Sequence, residues 1–273
     1  MNIEKKLKNL PHIYYLNLDH DRDRRVYMET QFEQLKIKNF TRVSGSNFLA
    51  ENIDEWSHVL KGNYTPDRAY LVGNFVSHIS LFREWLKNTN DEYLIIMEDD
   101  YDMSLMDYWH FSWEELMQNL PSNWDCIQLG YEHDVHVIFC LHFKPLLEHF
   151  FGPCLLNRTF VKKLVKLYYQ DEKYVINSKL AFPKNQLWQC PYSVDTAIIS
   201  DGVTYRLPLI TTNVAFARTE RSAQQFFHKD CASTYHYWWK VKKQTINLDN
   251  FFVFSPEIVD CMALSVKDYS EYL

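Results

Sequence analysis

The chain has 273 residues, of which 47% are hydrophobic and 16% aromatic. This composition supplies a substantial core and excludes an intrinsically disordered protein. A formal net charge of −6 argues against broad electrostatic binding to nucleic acid, so an anionic ligand would need a dedicated pocket.

The six cysteines lie far apart, and none belongs to a Cys-x-x-Cys pair. This spacing argues against a zinc ribbon and favours reduced thiols in the core. The N-terminus lacks the apolar segment of a secretory signal, and no stretch reaches the roughly 18 apolar residues of a transmembrane helix. We therefore expect a cytoplasmic protein, or one bound peripherally to a membrane, with no transmembrane segment and no nucleic-acid partner.

The first predicted elements form a β-α-β unit. Aromatic and β-branched residues from His12 to Leu18 predict a strand, and the aspartate-rich segment after it predicts the start of a helix. The helix is expected from about Arg24 to Leu35, where apolar residues recur near one face. The segment "NFTRVSG" then predicts a short strand that Gly45 ends.

A long helix and a buried strand follow. In "LVGNFVSHISLFREWLK" apolar residues recur at steps of three and four, which is typical of a helix with one buried face. The helix leads into an apolar strand from Tyr93 to Met97. Later patterns predict a strand in "WDCIQLG", a strand or β-ribbon in "VHVIFCLHF", a strand feeding a helix that begins near Thr159, and a short helix in "SVDTAIIS".

The last predicted strand, "VTYRLPLITTN", contains Pro208 and is therefore expected to lie at a sheet edge or to end there. Strands that alternate with helices predict an α/β fold with a mostly parallel central sheet. We expect one domain over residues 1–220. After Arg221 the stretch "HKDCASTYHYWWKVKK" is aromatic and basic, and we expect residues 221–273 to form a C-terminal extension packed on that domain, with a candidate homodimer contact.

Four acids follow the buried strand, namely Glu98, Asp99, Asp100 and Asp102. The carboxyl ends of such strands face the ligand crevice in α/β folds, and carboxylate oxygens suit Mg²⁺ or Mn²⁺. The alternative is an acidic loop that caps the next helix, with Asp102 or Ser104 as the N-cap. The residues alone leave both interpretations open.

Four stretches in order resemble glycosyltransferase family 25, which includes lipooligosaccharide β-galactosyltransferases and collagen hydroxylysine galactosyltransferases. They are "IYYLNLDHDRDRR", "RAYLVGNFVSHISLFREWL", "YLIIMEDD", and "FFGPCLLNRTFVKKLV" with the later "SVDTAI". The resemblance spans roughly residues 12–215 and does not cover the C-terminal extension. Asn74 and Phe75 depart from the pattern, because the family often has a cysteine or alanine with glycine there.

The resemblance implies a GT-A-like nucleotide-sugar-binding fold. It also implies an inverting, metal-dependent transfer of a hexose, galactose or glucose, from a UDP-sugar to a saccharide or hydroxylated protein acceptor. The process would belong to lipopolysaccharide or other glycan biosynthesis, with Mn²⁺ or Mg²⁺ as the cofactor. Under this hypothesis Asp100 and Asp102 bind the metal, and Glu98 and Asp99 support the metal or the donor.

The resemblance and the strand positions together suggest contacts to the donor by Asn17, Arg24, Arg25, Ser77, His78 and Arg218. For the arginines that follow the first strand, the alternative is a solvated turn. A histidine in mid-helix is often a hydrogen-bonded core residue.

The residue expected to take the proton from the acceptor hydroxyl is Asp195, because "SVDTAI" resembles the Val-Asp of the family. An N-cap role is the alternative for this aspartate. Two other functions stay open for the whole chain. One is a catalytically silent carbohydrate-binding relative, and the other is a glycoside hydrolase with two carboxylates.

Overall fold

The computed structural model describes residues 1–49, 51–62, 64, 66, 69–131, 141–143, 152–176 and 202–212. In chain order the strands are β1 (Ile13–Asn17), β2 (Phe40–Ser44), β3 (Leu60–Gly62), β4 (Tyr93–Glu98), β5 (Tyr101–Asp102), β6 (Cys126–Tyr131), β7 (His142–Phe143), β8 (Cys154–Asn157), β9 (Tyr169–Gln170), β10 (Lys173–Ile176) and β11 (Thr204–Thr212). The α-helices are α1 (Ile3–Lys6), α2 (Arg22–Gln34), α3 (Ala69–Asn88), α4 (Trp113–Asn119) and α5 (Arg158–Tyr168), and 3-10 helices cover Ile53–Trp56 and Ser104–Tyr108.

The predicted β-α-β unit is confirmed as β1, α2 and β2. Strands β1 and β2 pair in parallel, with Ile13 opposite Phe40. Helix α2 begins two residues earlier than predicted, directly after Asp21, and packs on the sheet through two fully buried side chains, Met28 and Phe32. Burial of these apolar side chains is the main stabilisation of such a helix, because a 13-residue helix is marginal on its own.

The large sheet has the strand order β2-β1-β4-β8-β6-β11-β5, and β7 also pairs with β11. The five longer strands β1, β2, β4, β6 and β11 all run in the same direction, as expected. However, β8 lies antiparallel between β4 and β6, and β5 and β7 are also antiparallel to β11. The sheet is therefore mixed. The three short strands β3, β10 and β9 form a separate small sheet.

The prediction that Pro208 places its strand at an edge, or ends it, is wrong. Strand β11 continues to Thr212 and lies between β6 on one side and β5 and β7 on the other. The register with β6 shifts between Arg206 and Ile210. Proline cannot donate a ladder hydrogen bond, and an irregularity of this kind lets the strand continue past it.

Helices cover both faces of the large sheet. Strand β4 shows this most directly, because Leu94 and Ile96 belong to the core beneath α3 and α5, whereas Ile95 and Met97 belong to the core beneath α2 and α4. None of the four side chains is more than 2% exposed. The expectation of a strand covered on both sides is therefore confirmed.

Helix α3 is the most deeply buried helix of the described chain. The predicted apolar face is confirmed, but twelve of its residues are buried, including the polar Ser77 and His78. In the described part of the chain no helix combines the length and hydropathy needed to cross a bilayer. The described cysteines, Cys126 and Cys154, are buried in the core, as predicted.

Several predictions fall outside the described residues. They include the short helix over 193–200, the domain boundary at 220, and the extension 221–273 with its homodimer contact. Of the strand or ribbon predicted over 135–143, residues 141–143 are described, and two of them form β7.

Candidate functional site

The predicted site residues of the first and fourth strands meet at one edge of the sheet. Strands β1 and β4 are parallel neighbours with Leu16 opposite Glu98, so Asn17, the last residue of β1, lies beside Asp99, the first residue after β4. Asn17 Nδ2 donates a hydrogen bond to Asp99 Oδ2 at 2.6 Å. This is the edge at which parallel strands of α/β proteins present ligand-binding residues.

Asp99 is a buried carboxylate that the protein neutralises internally. Only 6% of the residue is exposed, and its Oδ1 accepts a hydrogen bond from Arg24 Nη1 at 3.0 Å. Burial raises the pKa of the Asp99 carboxyl, and the charge of Arg24 and the hydrogen bond from Asn17 reduce this rise without reversing it. Burial also acts to lower the pKa of Arg24, but the carboxylates of Asp99 and Asp100 outweigh it, and the pKa of Arg24 is raised.

Arg42 on β2 extends this network to the surface. Its Nε donates to Asn17 Oδ1 at 2.8 Å, and its Nη2 donates to the Asn17 carbonyl at 3.2 Å and to Asp19 Oδ1 at 2.5 Å. The Asn17 amide is therefore oriented on both sides, because its oxygen accepts from Arg42 while its nitrogen donates to Asp99. Amide donors and acceptors held in this way have a defined direction.

The predicted donor-contact residue Arg25 is not brought to the acids. Its Nε donates to Glu29 Oε1 at 3.0 Å, four residues along α2, and the same oxygen accepts from the Tyr15 hydroxyl at 2.8 Å. Arg24 therefore contacts an acid that follows β4, whereas its neighbour Arg25 contacts an acid of its own helix.

Glu98 accepts a hydrogen bond from Asn74, one of the two residues that differ from the family pattern. Asn74 Nδ2 on α3 donates to Glu98 Oε1 at 2.8 Å, which joins α3 to the end of β4. The Asn74 carbonyl accepts a hydrogen bond from His78 Nδ1 at 2.9 Å, one turn later. His78 is fully buried, and burial lowers its pKa to about 4, so the ring is neutral at physiological pH.

Ser77 holds a loop against α3. Its hydroxyl donates to the Gly73 carbonyl and accepts from the Ser46 backbone N–H, each at 2.7 Å. Gly73 makes this approach possible, since a Cβ at that position would lie 2.6 Å from the Ser46 carbonyl oxygen. The loop after β2 is thereby fixed beside the candidate site.

Of the two predicted metal ligands, Asp100 lies in the turn between β4 and β5, and Asp102 is the last residue of β5. Asp102 Oδ1 accepts from the Ser104 N–H at 2.7 Å, and Oδ2 accepts from the Tyr27 hydroxyl at 3.2 Å. The hydrogen bond from Ser104 closes a local turn, but the residue that caps the following 3-10 helix is Met103, with no side-chain cap hydrogen bond, so the expectation of Asp102 or Ser104 as the N-cap is wrong. Within the described ranges, no three His, Cys, Asp or Glu side chains form a cluster suited to a metal ion.

Asp102 Oδ1 and Oδ2 each accept one of these hydrogen bonds, and a carboxylate oxygen can accept more than one interaction. Mg²⁺ and Mn²⁺ commonly take one or two protein carboxylates and complete their shell with phosphate oxygens and water. The geometry of Asp102 is therefore compatible with a cation of this class, provided that a bound substrate supplies the other ligands.

Other predicted residues stand apart from this geometry. Asp195 and Arg218 lie outside the described residues. A cleft of about 410 Å³ lies at the opposite edge of the sheet, where residues such as His12, Asn39 and Tyr93 line it. That cleft is near the amino ends of β1 and β4, so the acids at positions 98–102 do not line it.

Sequence reasoning missed three residues of this site, Asn74, Arg42 and Gln31. Their contacts join positions that are 24, 25 and 70 residues apart, so no local pattern marks them. For Asn74 a signal existed, because it lies one helical turn before His78 on the same face of α3.

Comparisons with known proteins agree with the resemblance. The model of "Glycosyltransferase family 25 (LPS biosynthesis protein)" matches residues 10–181. A "Glycosyltransferase 25 family member" of Drosophila pseudoobscura pseudoobscura is 32% identical over 104 residues, which are 36% of this chain and only 17% of that relative. The crystal structure of A197 from STIV aligns at a TM-score of 0.38 and 9% identity, over 74% of this chain and 83% of that one. The family match extends over well over half of the sequence, and the chain belongs to glycosyltransferase family 25, which places it among the glycosyltransferases.

Proposed function

We propose that this chain is an inverting, metal-dependent glycosyltransferase of the GT-A type. It transfers galactose or glucose from a UDP-sugar to a saccharide or to a hydroxylated protein. The observation that carries the proposal is the meeting of Asn17, Arg24 and the acids of 98–102 at the carboxyl ends of β1 and β4, in a member of family 25. Ligands of open α/β sheets bind beyond such strand ends.

The proposed metal ligands are Asp100 and Asp102. When bound there, Mn²⁺ or Mg²⁺ would neutralise the charge that develops on the leaving diphosphate. Asp99 has a different role, because its carboxylate is committed to Asn17 and Arg24. It would fix the orientation of these two side chains, and through the chain it would fix the position of Asp100.

The donor contacts are proposed from the residues that surround this edge. Asn17 and Arg24 contact Asp99, and Glu98 precedes it in the chain. These three residues would orient the nucleotide sugar. Ser77 and His78 would act behind them, Ser77 by holding the loop at Ser46 and His78 by holding the Asn74 carbonyl. Arg218 would add a positive charge near the diphosphate.

The proposed reaction is an in-line displacement at the anomeric carbon. The acceptor hydroxyl oxygen forms the new bond to that carbon while the bond to the diphosphate oxygen breaks, and the UDP leaves with the electron pair. Asp195 would accept the hydroxyl proton, which makes the oxygen a better nucleophile. Attack on the face opposite the leaving group inverts the configuration, and orientation of both substrates supplies much of the rate enhancement.

Calorimetric titration with UDP tests the proposal. Wild type and Asp100→Ala would be titrated with Mn²⁺ present and again with EDTA, and Asp54→Ala, which removes an exposed acid remote in sequence, serves as the control. We expect binding that requires both the metal and Asp100 and that is unchanged in Asp54→Ala. Binding of neither UDP nor another nucleotide would favour a silent carbohydrate-binding relative. Release of sugar from an oligosaccharide without any nucleotide would favour a hydrolase.

A further inference from the structure

One face of α2 contacts the segment from Asp99 to Met103, here called the acidic turn. Arg24, Tyr27 and Gln31 are spaced by three and four residues, so their side chains lie along one face of the helix. Arg24 contacts Asp99, Tyr27 contacts Asp102, and Gln31 contacts the backbone on both sides of Asp102. The position of the turn is therefore set by a helix 65 or more residues earlier in the chain, with partners separated by 70 to 75 positions.

The Gln31 amide makes two opposite hydrogen bonds to this backbone. Its Nε2 donates to the Tyr101 carbonyl at 3.0 Å, and its Oε1 accepts from the Met103 N–H at 2.9 Å. In an extended strand the carbonyl of one residue and the N–H of the second residue after it lie on the same edge. The amide thus occupies the edge of β5 as a neighbouring strand would, while Asp102 pairs with Thr211 of β11.

We propose that Gln31 is a positioning residue for the metal and donor site, acting through Asp102. This inference rests on the proposed function of the acidic turn. The two hydrogen bonds from Gln31 restrain the backbone on both sides of Asp102, and the hydrogen bonds from Tyr27 and Ser104 then orient its carboxylate. Residues that orient the ligands of a metal commonly change its affinity by 10- to 100-fold when they are replaced.

A merely structural role for Gln31 predicts something different. Loss of two hydrogen bonds at a partly buried site would lower the stability of the folded chain, but binding measured well below the melting temperature would be unchanged. The two roles are therefore separated by affinity, and the substitution should keep the length and packing of the side chain. Gln31→Met does so, because methionine is similar in length but cannot form either hydrogen bond at comparable strength.

The matched control is Gln34→Met. Gln34 is the last residue of the same helix and is exposed, so the chemical change is identical while the acidic turn is untouched. The first measurement is calorimetric titration of each full-length protein with UDP in the presence of Mn²⁺. We expect the dissociation constant of Gln31→Met to rise 10- to 100-fold over wild type, and that of Gln34→Met to stay within about twofold.

The second measurement needs no ligand. Amide hydrogen exchange, followed by NMR, should be faster for the Met103 N–H in Gln31→Met than in wild type and unchanged in Gln34→Met. Faster exchange with unchanged affinity would overturn the positioning role and leave a structural one. Equal exchange of the Met103 N–H in Gln31→Met and in wild type would show that Gln31 does not hold this backbone, which would overturn the proposal. If wild type binds no nucleotide, the proposed function fails and the positioning role with it, whatever the exchange data give.

Discussion

Replacing His78 with glutamine should remove a pH-dependent part of the stability of the protein. His78 lies in the middle of α3 with no exposed surface, and burial lowers its pKa to about 4 from the ordinary value of 6.5. As the pH falls, the unfolded chain therefore takes up a proton at His78 before the folded chain does. The neutral ring contributes stability that is complete above pH 6.5 and is lost progressively as the pH falls towards 4.

The size of this contribution follows from the two pKa values. Each pH unit between them corresponds to about 1.4 kcal/mol, so the full difference is about 3 kcal/mol. Globular domains have a net stability of only about 5–15 kcal/mol, so a loss of this size is easily measured. Glutamine is chosen because its amide can still donate to the Asn74 carbonyl but does not titrate.

The assay is urea unfolding of wild type and His78→Gln at about pH 7.5 and about pH 4.5. We expect the unfolding free energy of wild type to fall by about 2–3 kcal/mol more than that of the variant between these two pH values. His58→Gln, which changes an exposed histidine in the same way, controls for the substitution itself. A free-energy difference between wild type and His78→Gln that is equal at both pH values would refute the reasoning.

Two further substitutions test the network around Asp99 and the loop that borders the site. Arg24→Met leaves the buried Asp99 carboxylate without its cation and should lower the unfolding free energy in urea by about 3 kcal/mol at pH 7. Because burial raises the pKa of Asp99, this loss of unfolding free energy should shrink as the pH falls towards 4. Adding Asp99→Asn to Arg24→Met should restore part of the stability. An equal loss at both pH values would contradict this account. Gly73→Ala would normally stabilise a helix by about 1 kcal/mol, but here the new methyl meets the Ser46 carbonyl, so we expect thermal unfolding at a lower temperature, and a rise would show that the loop yields freely.

The elements that were predicted correctly are those with a strong local period. Strand β4 is a continuous apolar run, and α3 repeats its apolar residues every three to four positions, so each pattern identifies both the type of element and its buried faces. The sequence pattern carries no comparable signal for the direction in which a strand runs in the sheet. The antiparallel insertion of β8 between β4 and β6 has no local signal in the sequence, and the continuation of β11 past Pro208 is accompanied by a register shift with β6.

The site was predictable to the extent that it follows from strand geometry. Asn17 ends the buried strand β1 and Asp99 follows the buried strand β4, and parallel pairing of these strands brings the two residues together. The partners on other elements were not predictable in this way. Asn74 and Gln31 lie within helices, and the apolar pattern of a helix predicts which face is buried but not which polar atoms its side chains contact. Which of Arg24 and Arg25 contacts the acids depends on how α2 is rotated about its axis.

The acids that follow β4 differ in their surroundings, and Asp99 is the one with the least exposed carboxylate bound to a cation. Asp99 is the costly member, because its burial raises its pKa even beside Arg24, and an ionised carboxylate at that position therefore lowers the stability of the folded chain. A protein that needed only a turn after β4 would gain stability from a neutral residue at this position. The cost is understandable if the Asp99 to Arg24 pair aligns the end of β4 with α2, since the same helix then holds Asp102 through Tyr27 and its backbone through Gln31. Under the proposed function, Asp99 and α2 would hold the end of β4 in place, and Asp100 and Asp102 would be the carboxylates presented to the donor.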